Sequence, residues 1–170
     1  MFLDIHELAR QPIALDQTLP PGRIDFGEDV WQVERLEVHG WAELVEEEIR
    51  LRGSLRTTIE VPCARCLERA RLPVEVEFDL FYRPIQTISR NEEVEIKGED
   101  LDIGFYHGDG LLLEEALREQ ILLSLPMKSI CRTDCAGLCL QCGQNRNVGE
   151  CGCGPARTDE RWTPLARLKR

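Results

Sequence analysis

Eight cysteines arranged as four close pairs constrain this 170-residue chain more than any other feature. Cys63 and Cys66 stand apart in "CARC". The remaining pairs are crowded into "CRTDCAGLCLQCGQNRNVGECGC", which carries Cys131, Cys135, Cys139, Cys142, Cys151 and Cys153. A C-x-x-C in a tight turn presents two sulfurs to one point, half of a tetrahedral zinc site with Zn–S bonds of about 2.3 Å. A redox C-x-x-C belongs to a βαβ pattern with the motif opening a helix. Cys63 and Cys66 lie instead between two β-patterned runs. Eight thiols also divide evenly into four disulfides, so the expected compartment decides. The opening "MFLDIHELARQPIALDQ" has no basic start followed by an apolar run, so no secretory signal is expected. No stretch approaches the about 18 consecutive apolar residues of a membrane span. The expected location is cytoplasmic, where thiols stay reduced and dense cysteine clusters hold metal. Two four-cysteine zinc sites are therefore expected, with an iron–sulfur cluster as the second choice.

Spacing leaves two groupings open. In the first, Cys63, Cys66, Cys131 and Cys135 form one site that staples the C-terminal segment to the sheet. Cys139, Cys142, Cys151 and Cys153 then form a local knuckle, with Gly143 easing its turn. In the second, Cys63 and Cys66 join Cys139 and Cys142, leaving Cys131, Cys135, Cys151 and Cys153. The first is preferred because its local site closes the shorter loop, and closing long loops costs entropy. All-cysteine sites are usually closed and structural, whereas catalytic zinc keeps an open position and more often uses histidine. His6, His39 and His107 lie in no cysteine cluster and read as ordinary surface or core residues.

Hydrophobic patterning supplies the body. Residues 30–39 are an irregular candidate strand. Trp41, Val45, Ile49 and Leu51 share one parity and suggest a strand with a bend. Gly53-Ser54 reads as a turn. Leu55, Thr57, Ile59 and Val61, and then Leu72, Val74, Val76, Phe78 and Leu80, alternate with polar residues, the period of half-buried strands. "DGLLLEEALREQILLSLP" places Leu113, Leu117, Ile121 and Leu125 on one helical face, with Asp109 as N-cap, a Glu114–Arg118 pair and a stop at Pro126. That leucine row is expected to pack on the sheet rather than to hold a partner. "DIHELAR" reads as a helical turn after an initial strand, and "TLPPGRIDFG" as a loop. The expected fold is α+β: an antiparallel β meander, one packed amphipathic helix and a cysteine-rich, zinc-bound C-terminal module. It is expected to form a single domain over 1–170. Within it, 1–83 is a β-rich body with the first knuckle, 84–110 a polar loop with a short strand near Val94–Ile96, 111–125 the helix, and 126–170 the module and a basic, partly ordered tail.

The net charge of −10 opposes broad electrostatic attachment to nucleic acid, but it is unevenly spread. Residues 1–125 carry 27 acidic and 13 basic side chains, a balance of −14; residues 126–170 carry 4 and 8, a balance of +4. An acidic body suits a basic protein, and a mildly basic module with Arg132, Arg146 and Arg161 suits RNA. Asn145 and Asn147 read equally as base-contacting residues or as loop residues satisfying their own backbone. No G-x-S-x-G or P-loop is present. Glu46-Glu47-Glu48 and Glu92-Glu93 read as solvated runs rather than a nuclease's cation site.

The order of these elements resembles the YceD family of large ribosomal RNA subunit accumulation proteins. "CARC" between strands, the helix "LLLEEALREQILLSLP", then "CRTDCAGLCLQCGQNRN" and "CGC" carry the resemblance, best from about Val61 to Leu168. It implies a non-enzymatic, bacterial ribosome-biogenesis factor needed for processing and accumulation of large-subunit (23S) rRNA. The expected partners are precursor rRNA, a large-subunit ribosomal protein, or both, with no membrane and no small-molecule substrate. A protein-only adaptor for a basic ribosomal protein, or an iron–sulfur or redox-sensing protein, is the alternative.

Overall fold

The computed structural model describes residues 1–85, 103–154 and 161. The chain forms two compact units. The body comprises Met1–Val61 and Arg71–Met127; the cysteine module comprises Pro62–Ala70 and Lys128–Arg170. The fold is α+β, mainly sheet with one main helix. In chain order the elements are β1 (Phe2–Asp4), α1 (Ile5–Leu8), β2 (Ile13–Ala14), β3 (Gln17–Leu19), β4 (Trp31–Gln32), β5 (Leu36–Val45), β6 (Glu48–Pro62), β7 (Arg69–Pro84), β8 (Ile103–Tyr106), β9 (Gly110–Leu112) and α2 (Leu113–Ser124). Among the described residues, no helix is long and apolar enough to cross a membrane.

The main sheet runs β2-β5-β6-β7-β8, with β3 also on β5 and β4 also on β6. Its centre follows the alternation in the sequence. Along β6, Ile49, Leu51, Leu55, Thr57, Ile59 and Val61 are buried, all of one parity. On β7, Val74, Phe78 and Tyr82 are buried, and Leu72, Val76 and Leu80 pack against the same core. The opposite face is wet and ion-paired. Arg50 grips Asp79 through Nε and Nη2, each at 2.8 Å, and Arg71 Nε meets Glu60 at 2.9 Å.

Three expectations for the sheet need correction. Trp41, Val45, Ile49 and Leu51 do not share one bent strand: the chain reverses at Glu46-Glu47, and β5 pairs antiparallel with β6 from Glu37↔Arg56 to Val45↔Glu48. Glu46 takes φ +58, a left-handed conformation that its side chain does not advertise. Trp41 and Val45 therefore sit exposed, while Val38 and Ala42 take the core side. Gly53 is no turn; it lies inside β6 opposite Gly40. A Cβ on Gly40 would meet Arg52 O at 2.3 Å, and one on Gly53 would meet His39 O at 2.2 Å. These glycines allow a close backbone approach, the other use of glycine in a strand. Finally, β7 and β8 run parallel, from Phe81↔Ile103 to Pro84↔Tyr106. The sheet is thus mixed.

The segment expected to be a polar loop also holds β8 and the first residue of β9; the strand expected at Val94–Ile96 lies outside the described residues. Leu111 and Leu112 pair with β1 rather than opening the helix. Consequently α2 starts at Leu113 with no side-chain cap, and its first amide is met by Met1 O at 3.0 Å. Glu114 bonds the Met1 amino group and Arg23 instead of Arg118, and Arg118 Nε donates to Asp25 O at 2.7 Å. The apolar row is buried in the body core through Leu113, Ala116, Leu117 and Ile121, and Leu125 packs against it. The helix stops at Ser124; Leu125 is extended, as a residue before proline prefers.

Candidate metal centres

Both C-x-x-C pairs fold into the same turn. In the first, Arg65 N donates to Cys63 Sγ at 3.4 Å, Leu67 N to Cys63 O at 3.0 Å, and Cys63 N to Glu68 O at 2.8 Å. In the second, Gln141 N donates to Cys139 Sγ at 3.5 Å, Gly143 N to Cys139 O at 2.9 Å, and Cys139 N to Gln144 O at 2.8 Å. The bonds match residue for residue. Each turn also needs a left-handed residue directly after its second cysteine: Leu67 at φ +63 and Gly143 at φ +74. Glycine adopts this freely; for a leucine it costs about 1–2 kcal/mol.

The eight sulfurs gather in two sets: Cys63, Cys66, Cys131 and Cys135 (the inner set), and Cys139, Cys142, Cys151 and Cys153 (the outer set). Within each set all ligand atoms lie within 4.8 Å of one another. All eight cysteines are free thiols. In the inner set Cys63 Sγ stands 3.9 Å from Cys135 Sγ, and Cys66 Sγ stands 3.6 Å from Cys131 Sγ. A tetrahedron with metal–sulfur bonds of about 2.3 Å has an edge of about 3.8 Å. These two inner distances lie close to that edge, and each set could hold a metal ion.

The inner set is tied together across the sequence. Ala64 N donates to Ser129 O at 2.8 Å, Arg65 Nη1 to Cys135 O at 2.9 Å, and Leu138 N to Arg65 O at 3.0 Å. Cys131 N donates to Cys63 Sγ at 3.3 Å. Cys63, Cys66 and Cys135 are buried beside Ala70, Ile130 and Leu138. The outer set is more open: Cys142 is exposed, and Cys139, Cys151 and Cys153 are half-buried. Three of its cysteines line a hollow of about 320 Å³ with Leu140, Gln141, Arg146 and Glu150.

Thiol acidity repeats in the two sets. Burial pushes the Cys63 thiol up, but amides from Cys131, Arg65 and Cys66 outweigh it and bring it down to about 6. The amides of Cys142 and Gln141 likewise lower Cys139 to about 6. Desolvation and the Cys66 sulfur push Cys131 up to about 12, and the Cys142 sulfur and desolvation do the same to Cys153. Each set ionises one thiol readily and resists ionising another, because desolvation and the neighbouring sulfurs disfavour the second thiolate. A cation at the centre removes that conflict and favours deprotonation of all four.

The residues expected to read RNA fall differently. Asn147 Oδ1 accepts from Ala136 N at 2.8 Å and from Arg132 Nη2 at 2.9 Å; its Nδ2 donates to Asn145 Oδ1 at 2.8 Å and to Cys135 Sγ at 3.4 Å. Asn145 Nδ2 reaches Glu68 Oε1 at 3.3 Å. Both asparagines hold the module itself, the second of their two readings. Arg132 also pairs with Asp134 at 3.4 Å. Arg146 is exposed beside the outer hollow, and Arg161 is exposed. Sequence reasoning missed Leu67 and the bond from Asn147 to a thiol. Only Leu67's place after a C-x-x-C, matching that of Gly143, gave a signal.

Fold and site define an α+β protein whose second unit is organised on two four-thiol sets of metal-site geometry. The profile described as "Large ribosomal RNA subunit accumulation protein YceD" matches residues 51–169. The chain belongs to the YceD family. It is 30% identical to an uncharacterized protein of Mycobacterium tuberculosis over 99% of this chain and 81% of that one. It is 26% identical to the chloroplastic large ribosomal RNA subunit accumulation protein YCED homolog 1 of Arabidopsis thaliana, over 73% of this chain and 45% of that protein. The Zea mays homolog of the same name is 30% identical over 69% of this chain and 47% of its own length. No solved structure matches.

Proposed function

We propose that this protein is a non-enzymatic, cytoplasmic bacterial factor for the accumulation of large-subunit (23S) rRNA, built around two structural zinc sites. Cys63, Cys66, Cys131 and Cys135 hold one ion, and Cys139, Cys142, Cys151 and Cys153 hold the other. The observation that carries the reading is the two sets of four sulfurs, each within 4.8 Å, in a chain of the YceD family. Zinc suits four thiolates at this spacing and supplies charge neutralisation and folding energy, not redox chemistry. An iron–sulfur cluster is the alternative for the same ligands. Metal analysis of the purified chain separates them: two zinc ions per chain supports the reading, and iron with visible absorbance overturns it.

The module contacts precursor rRNA, with the surface residues Arg146 and Arg161 as its phosphate contacts and with Arg132, which donates to Asn147 Oδ1. Crosslinking the protein to RNA in cells and sequencing the fragments tests this; enrichment of large-subunit precursors is expected, and none would defeat it. The balance of −14 over residues 1–125 favours a second contact, with a basic large-subunit ribosomal protein. Recovery of such a protein after nuclease treatment is the expected result for that contact.

A further inference from the structure

The two sets differ in what reaches them. The sulfurs of Cys63, Cys66 and Cys135 belong to residues exposed by 0%, 3% and 4%, so a small oxidant meets only Cys131 from solvent. No outer cysteine is buried. The hollow of about 320 Å³ against Cys139, Cys151 and Cys153 is many times the volume of a water molecule, about 30 Å³ in the liquid. Hydrogen-bond donors also differ. Cys63 Sγ accepts from two amides, Arg65 N and Cys131 N, and Cys135 Sγ accepts from Asn147 Nδ2, whereas in the outer set Cys139 Sγ accepts from Gln141 N and Cys142 is the exposed member. Exposed, electron-rich cysteines are the ones that oxidants modify.

We propose that the outer set is a site of reversible oxidative modification by hydrogen peroxide, in which Cys142 and a second cysteine of the set become a disulfide while the inner set stays reduced. This deepens the two-zinc reading and rests on it. Cys142, the exposed member, attacks the peroxide O–O bond; one oxygen stays on its sulfur as a sulfenic acid, and the other leaves as hydroxide and becomes water. A thiolate of the same set, whose four sulfurs all lie within 4.8 Å of one another, then attacks that sulfur, forms the S–S bond and expels the second oxygen as water after protonation. The two sulfurs lose two electrons in all, and the peroxide gains them. With two thiolates consumed, the set no longer retains a divalent cation, and the segment from Cys142 to Cys151 loses its anchor. That segment carries Asn147, so the modification also withdraws an amide from Cys135. A small thiol reductant reverses the disulfide by exchange.

The test uses the full chain as purified, with its metal measured first. Hydrogen peroxide is added in steps while released zinc, free thiols and disulfides mapped by mass spectrometry are followed. The expected result is release of one zinc of the two, a disulfide between Cys142 and another outer cysteine, continued protection of Cys63, Cys66 and Cys135 from alkylation, and recovery with reductant and zinc. Cys142→Ser abolishes that disulfide. Oxidation of the inner cysteines first or at the same rate overturns the proposal, as does full reduction at peroxide excess. If the protein carries no metal when purified, the two-zinc reading fails, and the order of thiol loss still decides the proposal.

Discussion

The inner and outer sets use one turn twice, yet they are built for different duties. The inner set joins residues 63–66 to 131–135, buries three of its four cysteines and is braced by Arg65, Ser129 and Asn147. The outer set lies within residues 139–153, and every one of its cysteines keeps some exposure. A long loop closed by a cross-link gains more than a short one, by the logarithm of its length. Burial adds to the inner site the cost of any ligand left unpaired. The lesson is that an identical local motif ends up buried and braced, or open to solvent, according to what surrounds it.

The comparison is sharpest under ligand removal. Cys63→Ser should remove the inner ion and unfold the module, since metal binding in such sites is folding free energy, about 10–16 kcal/mol for small zinc domains. Cys142→Ser should lower the metal content by one ion and leave Pro62–Ala70 protected. Metal analysis with limited proteolysis reads both; equal damage from the two would break the contrast. Chelation of the unsubstituted chain should be biphasic for the same reason, with the outer ion leaving first, measured with a colorimetric chelator.

A smaller effect is expected at Asn147. Asn147→Ala leaves Ala136 N and the Cys135 sulfur short of a partner, at about 1–3 kcal/mol. Denaturant melts should show the loss, and the slow chelation phase should accelerate. Smallest is the matched pair of turn residues. Leu67→Gly should stabilise the module by about 1 kcal/mol, because it relieves a leucine held at φ +63. Gly143→Ala should destabilise it by about the same amount; a Cβ there meets nothing within 4 Å, so the cost is conformational alone. Opposite signs in thermal melts would establish that the turns are equivalent; equal signs would refute it.

Much of this was legible where side chains speak for themselves. Leu55 to Val61, Leu72 to Leu80 and the row from Leu113 to Ile121 show their periods openly, and their burial follows. What stayed hidden was set by backbone or by distant pairing. Glu46 and Leu67 turn the chain in a left-handed conformation without being glycine or asparagine. Gly53 looked like a turn because glycine marks both turns and close strand contacts. The parallel β7–β8 pair leaves no periodic trace, because alternation reveals a face and not a neighbour. Spacing alone left two cysteine groupings open, since loop-closure entropy varies slowly with length. It took the bonds from Arg65 to Cys135 and Leu138 to show which residues meet.

The facing pair Gly40 and Gly53 carries a consequence for how this chain's sequence can drift. A methyl group on either residue is met by the opposite strand's carbonyl at 2.2–2.3 Å, and each glycine's Cα crowds the other's side as well. Neither position can change first, and changing both together places two methyl groups in the same space. The pair is a dead end for stepwise substitution, so the hairpin around it can vary in length, charge and turn while this one crossing point stays bare.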